Sequence, residues 1–192
     1  MEIWFTATEK FGPRDGEAWD KYIQWAKLPQ LSEVISLDTA LCPCLFKELT
    51  EEDWNYTIHQ DYRFSYFRDL DYVVNRVSDA GDSVNILAVT FEPTSNPAMA
   101  FNDERFLFYG YDLLDAGSAI SALTNCGGFD QAFSSSDISA VGLLEDYAFA
   151  KAVQTRLRQH YPEEPHADCA LWAIWRLETI SAMLSSPNNG CT

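Results

Sequence analysis

The run FLFYGYDLL (106–114) passes directly into DAGSAISALTNCGGF (115–129), and no other junction constrains the chain as strongly. An aromatic, strand-forming stretch gives way to a loop with two adjacent glycines, Gly127 and Gly128, beside Asn125 and Cys126. The serine-rich turn FSSSD follows. A strand end, a backbone that needs glycine's freedom and a small polar cluster meet there. Loops at strand ends are where a rigid scaffold usually carries binding or catalytic groups.

The remaining elements are read from apolar periodicity. Residues 3–11 alternate as a strand that ends at Gly12-Pro13, and Trp19, Tyr22, Ile23 and Ala26 share one face of a helix near 16–27 that stops at Pro29. Thr50 before Glu51, Glu52 and Asp53 has the form of a helix N-cap. Beyond it Trp54, Ile58, Tyr62, Tyr66, Leu70, Val73 and Val77 fall three or four apart, so a long helix, broken at most once near Asp61, is predicted over 51–77 with that stripe in the core. VNILAVTF at 84–91 is a buried strand and 105–114 the next, and a helix near 143–161 closes at Pro162. At 168–178 the odd positions Cys169, Leu171, Ala173, Trp175 and Leu177 are apolar, which favours a strand; its alanines and leucines keep a helix as the competing reading. This order predicts an α+β fold with a mostly antiparallel or mixed sheet. With 192 residues, no repeat and no linker, one domain is expected over 1–184, with a flexible tail, SSPNNGCT, at 185–192.

Charge narrows the function classes. Lys plus Arg is 13 and Asp plus Glu 29, a net of −16, and between Val77 and Ala150 eleven acids face only Arg105, a net of −10. Such a field repels phosphate backbones and anionic membranes and attracts basic proteins. Nucleic-acid binding is therefore not expected. The apolar runs are far shorter than the roughly 20 residues of a membrane-spanning helix. MEIWFTATEK does not have the form of a signal peptide. A cytoplasmic chain is expected, with its five scattered cysteines reduced.

Few motifs carry chemistry. Cys42-Pro43-Cys44 lacks the second ligand pair of a structural zinc site, and the one-residue spacing disfavours a redox pair. Two small buried hydrophobes at a proline turn explain it as well, and neither a metal nor a cofactor is expected. Asn125-Cys126-Gly127-Gly128 has two readings. In one, Cys126 is a nucleophile, His166 its base, Asp168 or Glu163 the orienting acid, and the glycine amides with Asn125 form an oxyanion site. In the other the glycines serve a tight turn and Cys126 fills a pocket. The acidic surroundings work against a thiolate. The leading expectation is an acidic protein-binding module, of the immunity or antidote type, that covers a basic partner. Asp112, Asp115, Asn125, Asp130, Asp137 and Glu145 are its candidate contact residues. A small cysteine-dependent hydrolase or transferase using Cys126 and His166 is the alternative, and a structural subunit whose acidity only keeps it in solution is a third reading.

Overall fold

The structure, a computed structural model, describes residues 1–46, 48–61 and 64–178. The strands are β1 (Trp4–Glu9), β2 (Thr57–Asp61), β3 (Phe64–Phe67), β4 (Val84–Phe91), β5 (Phe106–Leu114) and β6 (Ala170–Leu177). The α-helices are α1 (Glu17–Ala26), α2 (Glu51–Tyr56), α3 (Leu70–Arg76) and α4 (Tyr147–His160). The strands form one sheet in the order β2-β3-β1-β4-β6-β5, and every neighbouring pair is antiparallel. The fold is α+β, as the order of elements predicts. The tail expected at 185–192 lies outside the described residues.

The central strands explain their own composition. All but the last residue of β4 is buried, and so is all of β6 except Arg176, because both lie between neighbours and are covered on both faces. A strand buried on both sides reads as a continuous apolar run. That resolves 168–178 as a strand: Trp172, Trp175 and Ile174 fill positions on both faces opposite β4 and β5. In β5 the register shifts between Phe108 and Gly110. Gly110 has φ +140, and a Cβ there would stand 2.5 Å from the Leu144 carbonyl oxygen. This is where residues 143–144 bridge onto the outer edge of β5 through Tyr111 and Leu144.

The long helix expected over 51–77 is corrected. Thr50 does cap α2, with Asp53 closing a capping box, and α3 occupies the far end under Asp69 as N-cap. Between them the chain is a hairpin, β2–β3, docked beside β1 through Phe5 and Phe67. Thr57, Ile58, Phe64, Tyr66 and Phe67 are β-branched or aromatic, which suits a sheet. Pairing with β1 buries Tyr66 and Phe67, and Tyr66 stacks on Trp172 at 5.3 Å. Helical periodicity cannot register that contact. Trp54, assigned to the core stripe, is exposed instead, and Tyr62 lies outside the described residues. The later helix also starts further on than 143: Asp146 caps α4 by accepting from the Phe149 amide, while Leu143 and Leu144 are committed to the β5 bridge.

The connections 28–50 and 115–146 are tied to each other by backbone hydrogen bonds, from the Ser32 amide to the Ala140 carbonyl and from the Ile35 amide to the Val141 carbonyl. Among the described residues no helix is long and apolar enough to cross a membrane.

Candidate functional site around Cys126 and His166

Antiparallel pairing of β5 with β6 places Leu114, the last residue of β5, opposite Ala170, the first of β6. The loop leaving β5 and the turn entering β6 are therefore neighbours. Cys126 lies on the first and His166 on the second, a 3₁₀ turn at Pro165–Asp168. The Cys126 Sγ stands 2.7 Å from His166 Nε2 and 3.7 Å from Nδ1, while Cys169 Sγ lies 3.7 Å from Nδ1. Phe129 meets the imidazole edge-on, with ring centres 5.5 Å apart. Cysteine and histidine are each half-buried.

The loop is held from beneath by buried polar groups. Asp38, wholly buried, accepts from the amides of Ala40, Leu41 and Ser121 at 2.8–2.9 Å and from the Asn125 side-chain amide at 3.0 and 3.2 Å. It thereby joins the 28–50 connection to both ends of the turn that presents Cys126. Asp112, also wholly buried, accepts from the Ser121 hydroxyl and the Leu113 amide through Oδ1 and from the Ser36 hydroxyl through Oδ2. The Ser121 carbonyl accepts from the Cys126 thiol at 3.0 Å. Asp38, Ser36 and Ser121 were not singled out in the sequence, although an acid inside the apolar run VISLDTALC was a signal of a buried, satisfied carboxyl.

Electrostatics set the resting state. Burial pushes the Cys126 thiol up to about 12, and Asp38, Asp112, Asp115 and Glu164 push the same way. Burial lowers His166, against the opposing pull of Asp115, Glu164 and Asp38. The pair therefore rests at neutral pH as a thiol beside a neutral imidazole, not as a thiolate–imidazolium pair. The thiol proton has two acceptors in reach, His166 Nε2 and the Ser121 carbonyl. Donation to Nε2 requires the Nδ1–H tautomer, whose hydrogen then faces the Cys169 sulfur.

Gly127 and Gly128 have φ +75 and +98, a region L side chains rarely adopt, and both are exposed. Their amide groups find no acceptor among the described residues. Beside them opens a cleft of about 470 Å³. Cys126 and His166 do not line it; Thr124, Gly127, Gly128 and Phe129 connect it to them.

Several candidate residues fall elsewhere. Asp168 is exposed and forms no hydrogen bond to His166, so it does not orient the ring; the turn directs its carboxylate outward. Glu163 is likewise exposed and makes no such bond. Asp112 and Asp115 are buried and cannot belong to a contact face: Asp112 lies beneath the loop, and Asp115 Oδ1 accepts from the Gly117 and Ser118 amides and the Ser118 hydroxyl. Asn125 is committed to Asp38 rather than to an oxyanion. Asp130, Asp137 and Glu145 are exposed, with Asp137 also closing a capping box at Ser134. Cys42 and Cys44 are buried thiols with separate partners, the Val34 carbonyl and the Thr6 hydroxyl. Among the described residues no group of three or more His, Cys, Asp or Glu side chains is arranged to hold a metal ion. Comparison with known proteins places the chain in no family: no family model, no curated protein and no solved structure matches it.

Proposed function

We propose that the chain is a small thiol-dependent acyl-transfer enzyme, a hydrolase of an ester, thioester or amide, with Cys126 as nucleophile and His166 as general base. The observation that carries this reading is the 2.7 Å separation of Cys126 Sγ and His166 Nε2 on two loops brought together only by the sheet. That is the nucleophile–base distance the chemistry needs.

The step follows from the neutral resting pair. As Sγ bonds to the acyl carbon, the thiol proton passes to Nε2, and the carbonyl oxygen becomes an oxyanion. The amides of Gly127 and Gly128, without an acceptor among the described residues, are the donors for that charge. The bond from carbon to the leaving oxygen, sulfur or nitrogen then breaks, and that atom takes the proton from Nε2. Water attacks the acyl thioester, its proton returns through His166 to sulfur, and the acid is released. Asp115, Glu164 and Asp38, which disfavour a resting thiolate, favour the imidazolium formed in passing. Proton transfer concerted with attack, rather than a preformed ion pair, is the mode this field supports.

The test is acylation by p-nitrophenyl acetate, read by mass spectrometry of the intact and digested protein. An acetyl thioester on Cys126, slowed at least 100-fold by His166→Gln, is the expected result. Acetylation that is absent from Cys126, or indifferent to His166→Gln, would sink the enzyme reading.

A second reading, an acidic face that binds a basic protein, draws on the exposure of Asp130, Asp137 and Glu145. It predicts association rates that fall steeply with salt and with Asn or Gln at these three positions. A partner whose on-rate ignores both would remove it.

A further inference from the structure

His166 has no acid behind it. Asp168 and Glu163 form no bond to it, and the side-chain atoms within hydrogen-bond reach of its Nδ1 among the described residues are two sulfurs, Cys126 Sγ and Cys169 Sγ, each at 3.7 Å. Cys126 stands nearer to Nε2, at 2.7 Å, which leaves Cys169 as the partner of Nδ1.

Cys169 is held firmly enough to orient a ring. It is 1% exposed, at the point where the turn of Pro165–Asp168 enters β6. Its amide donates to the His166 carbonyl at 3.3 Å, and its own carbonyl accepts from Gln154 Nε2 at 2.7 Å. Gln154 Nε2 also donates to Glu92 Oε1, and the same oxygen accepts from the Leu171 amide. Lys151 completes the group by pairing with Glu92 Oε2 at 3.1 Å. Glu92 does this from φ +41, a conformation that residues with a side chain seldom adopt. Such strain persists only where the surrounding structure enforces it, and it clusters at functional sites. The backbone around the Cys169 sulfur is therefore fixed both from α4 and from the residue that follows β4.

The partner's charge matters as well as its position. Burial pushes the Cys169 thiol well above its ordinary range, so it stays neutral. A carboxylate at Nδ1 would draw a proton onto the ring. A neutral sulfur orients the ring without doing so, and burial is left to lower His166. Cys126 Sγ is closer to Nε2, at 2.7 Å, than to the Ser121 carbonyl, at 3.0 Å. That places the thiol hydrogen on the Nε2 side and the imidazole hydrogen on Nδ1, where a sulfur can accept it.

We infer that Cys169 is the positioning residue of this site: its sulfur accepts from Nδ1–H, holds His166 in the tautomer whose Nε2 is bare, and takes the place of an orienting carboxylate. The hydrogen bond at one ring nitrogen decides which nitrogen carries the proton. The inference rests on the acyl-transfer reading for its part in the reaction, since only this tautomer can receive the Cys126 proton at Nε2.

The tautomer can be read without any reaction. The ¹⁵N shifts of the His166 ring nitrogens are measured at about pH 8, where the ring is neutral, in the wild type and in Cys169→Ala. The Nδ1–H form should dominate in the wild type. Its ratio to the Nε2–H form should fall about fivefold in the variant, the weight of one hydrogen bond. Acylation of Cys126 by p-nitrophenyl acetate should fall in proportion to the measured Nδ1–H fraction. A wild-type ring carrying its hydrogen on Nε2 would overturn the inference even if the variant failed to fold. So would a ratio that Cys169→Ala leaves unchanged, whatever happens to acylation. A shifted ratio together with a Cys126 that is never acylated would leave the hold of Cys169 on the ring standing and refute the enzyme instead.

Discussion

Asp112→Asn tests whether the buried polar cluster is read correctly. The Asp112 carboxyl is raised from 3.8 to about 6, chiefly by desolvation, with Asp38 adding to the rise and hydrogen bonds from Ser36, Ser121 and the Leu113 amide opposing it. Below about pH 3.8 the folded and unfolded chains both hold the proton, and the contribution to stability is complete. Between about 3.8 and 6 the unfolded chain has released it while the folded chain retains it, so stability falls as pH rises through this window. At about 1.4 kcal/mol for each tenfold change in proton affinity, the full loss is roughly 3 kcal/mol. Asparagine imitates the protonated acid: its oxygen still accepts from Ser121 and Leu113, and its amide donates toward Ser36. The second amide hydrogen costs about 1–3 kcal/mol if it finds no partner, but equally at every pH. Urea unfolding of both proteins at pH 4 and pH 7 isolates the effect, because groups remote from Asp112 titrate alike in the two. From pH 4 to pH 7 the variant should gain roughly 2–3 kcal/mol on the wild type. A relative stability that stays constant within about half a kcal/mol would refute the raised carboxyl and the field it contributes at Cys126.

Three further outcomes are expected. Gly110→Ala should destabilise by about 3 kcal/mol or more, since it combines a positive φ with a Cβ 2.5 Å from the Leu144 carbonyl; a melting temperature within a degree of wild type would contradict the β5 edge geometry. Asp53→Ala should cost about 2 kcal/mol or more, because the Asp53 carboxylate closes the capping box of α2 by accepting from the Thr50 amide and also accepts from Tyr72 and Arg76. Burial pushes Asp53 up, but hydrogen bonds from Arg76, Tyr72 and Thr50 outweigh it and hold the carboxyl well below its usual value. Its contribution is therefore present above about pH 4 and fades as acid protonates it, so the Ala variant should lose less stability than wild type in acid titration monitored by circular dichroism. Iodoacetamide alkylation of Cys126 should rise about tenfold per pH unit from 7 to 9 without levelling, as a thiol raised to about 12 requires; a plateau in that range would mean a thiolate already present.

Local chemistry carries much of this protein's secondary structure. The apolar runs at 84–91 and 106–114, the stops at Gly12-Pro13 and Pro162, and the cap at Thr50 act within a few residues, and sequence pattern reports such effects directly. The segment 57–67 shows where that reach ends. Its aromatic spacing is compatible with a helix, and only the edge of β1 makes the hairpin preferable by burying Tyr66 and Phe67. Acidity was equally legible as a total and illegible as a surface, since Asp38, Asp53, Asp112 and Asp115 are buried among donors while Asp130, Asp137 and Glu145 face outward.

The candidate site divides the same way. Cys126, Gly127 and Gly128 stand out in the sequence because glycine pairs and a flanking thiol are local facts, and His166 stands out as one of only three histidines. That the two meet at 2.7 Å is a consequence of β5 pairing antiparallel with β6, which brings residues 40 apart to the same end of the sheet. The clamp from Asp38, 87 residues before Asn125, is likewise a product of tertiary packing. Sequence alone determined which short segments prefer strand, helix or turn, because those preferences arise from neighbouring residues. The tertiary structure alone decided which acids lose water, which thiol faces an imidazole and where a cleft opens, because desolvation and contact depend on chains that are distant in sequence.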